Sequence, residues 1–141
     1  MKAIQFYGKN DYALADVDRP EIGDGEILLK VKAAAVCGSD LRMIQNGYQG
    51  VTRETPRIYG HEISGIIEQT GKSVTGYEPG MTVAIAPNMG CGTCDACVSG
   101  NTHLCREYRA FGINMDGGFA EYVVIPEAAV RQGNVVKIEI G

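Results

Sequence analysis

The chain has 141 residues, 45% hydrophobic and 21% charged, with 13 Lys and Arg against 17 Asp and Glu for a net charge of −4. That length suffices for one domain with a real core. An acidic balance without a basic run excludes a general binder of the nucleic-acid backbone, and no apolar stretch approaches the length of a membrane-spanning helix.

Residues 2–7 and 12–17 read as two short strands joined by the turn Gly8-Lys9-Asn10-Asp11, a hairpin. The alternating start lacks the apolar block of a signal peptide, so a cytoplasmic location is expected, where thiols stay reduced. Residues 26–36 (EILLKVKAAAV) give the clearest strand: Ile27, Leu29 and Val31 alternate with Leu28, Lys30 and Lys32. Residues 39–45 follow as a short helix that Ser39 or Asp40 can cap and Asn46-Gly47 can close. Further strands are predicted over 63–69, 81–87, 118–125 and 135–140, with turns at Gly71, Gly76 and Gly80. Many short strands and 19 glycines point to an all-β barrel or sandwich formed as one domain over 1–141.

Four of the five cysteines crowd into one stretch, spaced Cys91-x2-Cys94-x2-Cys97-x7-Cys105. Gly90, Gly92, Gly100 and Asn101 surround them, so a loop without helix or strand is expected. Four thiolates meet the tetrahedral preference of zinc and leave no open position, which makes the site structural. Disulfides, an iron–sulfur cluster and unrelated free thiols are the rival readings. The cluster pattern wants its fourth cysteine after three residues and then a proline, whereas seven residues intervene here and Arg106 follows. His103, inside the loop, could replace one cysteine.

The fifth cysteine, Cys37, lies in "VCGSD" at the end of the clearest strand, and the other histidine, His61, lies in "YGHE" just before the next. A thiolate and an imidazole suit zinc, but a buried cysteine is also a small hydrophobe, and a histidine can be purely structural.

The order and spacing of "VCGSD", "YGHE", the four-cysteine loop and "GGFAEYVVI" resemble the zinc-dependent medium-chain alcohol and polyol dehydrogenases, of the sorbitol, threonine and butanediol dehydrogenase kind. The resemblance implies a mainly β fold: a GroES-like β-barrel with short helices and a four-cysteine zinc lobe. It implies that Cys37 and His61 hold a catalytic zinc with Glu62 beside it as a direct or transient ligand, that this site is incomplete in this chain because a further ligand, usually Glu, is expected just beyond it, and that Cys91, Cys94, Cys97 and Cys105 hold a structural zinc. It implies that Ser39 hydrogen-bonds the substrate oxygen and starts a proton relay, and that Asp40 orients the histidine. Arg42 stands where many members carry a relay histidine, and arginine cannot shuttle protons near neutral pH.

The implied chemistry is loss of a proton from a zinc-activated small-molecule alcohol or polyol, then hydride transfer to NAD or NADP in the full-length enzyme. No G-x-G-x-x-G fingerprint opens a helix after a strand, so the Rossmann cofactor domain is expected outside this chain, which alone should be inactive. The tail Glu139-Ile140-Gly141 departs from the proline-led linker that the resemblance suggests. No nucleic-acid or membrane partner is expected, and the full-length enzyme can be oligomeric. The rival reading is a stand-alone zinc-binding scaffold module without hydride chemistry.

Overall fold

The computed structural model describes residues 1–139. Its first sheet begins with the expected hairpin: β1 (Lys2–Gly8) and β2 (Asp11–Asp16) run antiparallel, with Ile4 opposite Leu14 and Phe6 opposite Tyr12. A two-residue strand, β4 (Arg57–Ile58), joins the other side of β1.

The second sheet carries the core. Its strands are β3 (Ile27–Ala35), β5 (Glu62–Thr70), β6 (Thr82–Ile85), β9 (Tyr122–Ile125) and β10 (Val135–Lys137). Their order is β10-β6-β5-β3-β9, with every neighbouring pair antiparallel. Ile27, Leu29, Ile67, Val83 and Ile125 pack together with almost no exposure. Each aliphatic side chain buried this completely contributes about 1.5–3 kcal/mol. Leu28 is fully buried too, against the simple alternation, because this end of β3 lies between β5 and β9 with both faces covered. A third pair, β7 (Asn88–Met89) with β8 (Arg109–Ala110), forms the base of the cysteine lobe.

The strand predicted over 118–125 is divided between the sheets. Gly117 and Phe119 donate their amides to Ile58 O and Tyr59 O, Ala120 bridges Ala3, and only β9 belongs to the second sheet. An extended chain that turns a barrel corner reads in sequence as one strand, since its change of partner is invisible locally. The strand predicted over 81–87 shrinks to β6, and the last predicted strand to β10. Ile140 and Gly141 lie outside the described residues.

The helices are short: α1 (Gly38–Asn46), α2 (Asp95–Val98) and α3 (Glu127–Arg131). Neither Ser39 nor Asp40 is the N-cap of α1. Cys37 holds that position, and Asp40, one turn in, reaches back to accept the Cys37 amide at 2.9 Å. Gly47 closes the helix at φ 78°. The cysteine stretch also departs from expectation, since it contains α2 and a 3-10 turn at Thr102–Leu104. No helix among the described residues is long and apolar enough to cross a membrane.

Candidate metal centres

The lobe brings four sulfurs to one point. Cys94 precedes α2, Cys97 rides on it, and the 3-10 turn delivers the buried Cys105 to Cys91. The four Sγ atoms lie within 4.8 Å of one another, and all four are free thiols, so no disulfide joins them. Zn–S bonds of about 2.3 Å would set tetrahedral sulfurs about 3.8 Å apart, which this crowding accommodates. An iron–sulfur cluster spreads its cysteines over several irons and holds their sulfurs wider apart. His103 is exposed and outside the group.

Backbone amides point into the sulfurs. Cys94 N donates to Cys91 Sγ at 3.3 Å, Cys91 N to Cys105 Sγ at 3.3 Å, and Glu107 N to Cys105 Sγ at 3.4 Å. Hydrogen bonds led by the Thr93 and Cys94 amides lower the Cys91 thiol to about 6. Cys94 is raised to about 11: the Cys97 amide pulls it down, but thiol contacts with Cys91 and Cys97 outweigh that pull. Four sulfurs this close cannot all ionise without a cation among them. Gly90 fits because a β-carbon there would lie 2.5 Å from Cys97 Sγ.

The second group is assembled by strand register. β3 and β5 pair so that Ala35 faces Glu62, which places the residues after β3 beside those that open β5. The sulfur of Cys37, a ring nitrogen of His61 and a carboxylate oxygen of Glu62 lie within 4.8 Å of one another. His61 is buried, Cys37 half-buried and Glu62 exposed. Three donors leave a tetrahedral ion one free position, unlike the lobe.

Two residues of α1 complete the surroundings. Ser39 Oγ lies 3.2 Å from His61 Nε2. Hydrogen bonds from the Ser39 hydroxyl and amide, followed by His61, lower the Cys37 thiol. Asp40 is wholly buried, with Oδ1 at 3.5 Å from His61 Nδ1. That distance exceeds an ordinary hydrogen bond, and neither atom has another partner among the described residues, so a small rotation of the ring satisfies both. A carboxylate there favours the proton on Nδ1 and leaves the Nε2 lone pair for a cation, so the orphaned pair fits a metal-binding histidine. Arg42 is exposed on α1.

A shallow apolar depression of about 460 Å³ adjoins the group, formed by Ala33, Ala34, Ala35, Ile63, Ala84 and Pro87 together with His61 and Glu62. A cleft of about 400 Å³ near Gln5, Asp18, Arg109 and Tyr122 contains none of the donors.

Sequence reasoning missed several supports. Tyr59, two residues before His61, is fully buried with its ring stacked on Phe6 at 4.1 Å. Its hydroxyl finds no hydrogen-bond partner among the described residues, and burial raises its pKa. Asn134 is buried and donates to Ala86 O and Asn88 O, pinning the approach to the lobe. A polar residue beside a strand is the only local hint of that role.

Residues 23–137 match the family described as the alcohol dehydrogenase GroES-like domain. L-threonine 3-dehydrogenase of Pyrococcus furiosus is 39% identical over 127 residues, which cover 89% of this chain and 36% of that protein. Galactitol-1-phosphate dehydrogenase from Escherichia coli superposes with a TM-score of 0.87 at 34% identity, over 99% of this chain and 38% of the other. The alcohol dehydrogenase from Aeropyrum pernix gives 0.83 at 32% identity, over 99% of this chain and 40% of the other. The chain thus spans little more than a third of these relatives.

Proposed function

The chain belongs to the alcohol dehydrogenase GroES-like domain family, and from that premise we propose that it is the zinc- and substrate-binding part of an NAD(P)-dependent alcohol or polyol dehydrogenase. The observation that carries this reading is the convergence of Cys37 with the sequence-remote pair His61 and Glu62 within 4.8 Å, apart from the four-cysteine lobe. A scaffold module would need only the lobe.

Cys37, His61 and Glu62 hold the catalytic zinc in this reading, and Cys91, Cys94, Cys97 and Cys105 the structural one. Zinc bound at the open site supplies a Lewis acid that lowers the proton affinity of a substrate hydroxyl. Asp40 keeps the His61 proton on Nδ1 and so directs Nε2 toward the donors. Ser39 Oγ, beside Nε2, takes the substrate proton and passes it to water, because Arg42 stays charged and cannot relay it. The alanine-lined depression covers the carbon skeleton of the substrate and excludes water from its inner side. A separate Rossmann unit of the full-length enzyme would hold the NAD or NADP that supplies the hydride acceptor. The free thiols suit the cytoplasm. On its own the 141-residue polypeptide is expected to form no sustained NADH from secondary alcohols.

Cobalt(II) substitution tests the open position. The visible spectrum of the cobalt-loaded chain should change on adding imidazole or 2,3-butanediol, and Cys37→Ser should abolish the change. A spectrum indifferent to both additions in the wild type would contradict the proposal.

A further inference from the structure

His61 follows Gly60, and Gly60 is clasped by the segment that leaves the cysteine lobe. That segment is rigid from its start. The Tyr108 amide donates to Cys105 O at 3.2 Å, and Asn114 spans the next turn by accepting from Ala110 N at 2.8 Å and donating to Tyr108 O at 3.0 Å. Phe111 is fully buried, and its amide donates to Pro87 O at 3.1 Å.

Gly112 and Gly117 then close on Gly60. A β-carbon on Gly112 would lie 2.5 Å from Gly60 N, and one on Gly117 would overlap Gly60 O and lie 2.7 Å from Gly112 Cα. Gly60 itself has φ 95°, a conformation that L side chains rarely adopt, and a β-carbon there would meet the Phe119 ring at 2.7 Å. Three backbone hydrogen bonds run across the same contact: Gly117 N to Ile58 O at 2.8 Å, Gly118 N to Gly60 O at 2.9 Å and Phe119 N to Tyr59 O at 3.0 Å. Asp116 Oδ1 accepts the Ile58 amide at 3.0 Å. The backbone that delivers His61 is therefore placed by chain coming directly from Cys105, while the ring is oriented from α1.

We propose that Gly112 and Gly117 are positioning residues for His61, and that through them the four-cysteine lobe sets the metal affinity of the Cys37–His61–Glu62 group. The inference rests on the functional reading above, which makes that group a metal centre. Rigid packing of backbone on backbone carries the coupling, since no side chain intervenes to absorb a shift.

The chain has two histidines, and His103 is exposed and outside both donor groups, so the imidazole nitrogen resonances of His61 report its site alone. In a zinc titration followed by nitrogen NMR, the wild type should fill the lobe first and then shift His61. Gly117→Ala should leave the lobe filling unchanged but move the His61 transition to about ten- to a hundred-fold higher free zinc. Gly76→Ala is the control, because Gly76 has φ 79° with nothing within 4 Å of its would-be β-carbon, and it should leave the His61 transition in place. Should Gly117→Ala fail to fold, Asp116→Ala decides, since that exposed side chain holds the same ladder and its loss should weaken the His61 site several-fold. Cys97→Ser should weaken it as well, and a His61 transition unmoved in that variant would overturn the part assigned to the lobe. A His61 transition unmoved in Gly117→Ala, or in Asp116→Ala if the first variant does not fold, would overturn the inference. A wild type in which His61 never responds to zinc would instead defeat the functional reading.

Discussion

Asp40 ties the helix to the metal group with a single carboxylate. One oxygen accepts the Cys37 amide and the other faces His61 Nδ1, so the same residue fixes a donor that follows β3 and a donor that precedes β5. Asp40→Asn keeps the shape but removes the charge that favours the proton on Nδ1. It should weaken zinc binding at the open site about ten-fold while the lobe keeps its affinity, as a competitive chelator titration would show. Equal binding by the variant would mean that Asp40 serves only as part of the cap. Tyr59 makes the opposite case. Its buried hydroxyl has no partner among the described residues, and an unmatched buried polar group costs about 1–3 kcal/mol. Tyr59→Phe should therefore be neutral or more stable in urea unfolding. A loss above about 1 kcal/mol would reveal a hydrogen bond to a buried water.

At the scale of elements, the β3–β5 register and the lobe do most of the positioning. The lobe has little core of its own: α2 has four residues, none of them buried, and only Cys105 among the four lobe cysteines is buried. Metal bound there would turn its binding energy into folding energy. Cys97→Ser should lose the lobe metal and about 3 kcal/mol of stability, lowering the melting temperature by about 10 °C, with new proteolysis between residues 91 and 105. An unchanged melting curve would show that the lobe folds without metal. These elements also show what was legible in the sequence. The alternation of Ile27, Leu29 and Val31 revealed β3, and the cysteine spacing revealed the lobe, because both signals are local. The order of "VCGSD" and "YGHE" revealed the donors through resemblance alone, since their meeting depends on a pairing 27 positions apart between Ala35 and Glu62. The split of 118–125 between two sheets, the role of Cys37 as cap and the clasp on Gly60 were not legible. Each depends on a distant partner that leaves no periodic trace.

At the scale of the whole molecule, each sheet carries its own core cluster, and the chain over 105–119 runs from the lobe to backbone contacts with Ile58, Tyr59 and Gly60 beside the open group. If both groups bind zinc as proposed, stability and chemistry are separable by metal: the lobe would brace and the open group would act. The direct test is zinc content after saturation and desalting, for the wild type and Cys37→Ser. Two zinc ions per chain are expected in the wild type and one in the variant, with the remaining ion lost only when a lobe cysteine is replaced. A wild type that holds one zinc, retained in full by Cys37→Ser, would contradict it.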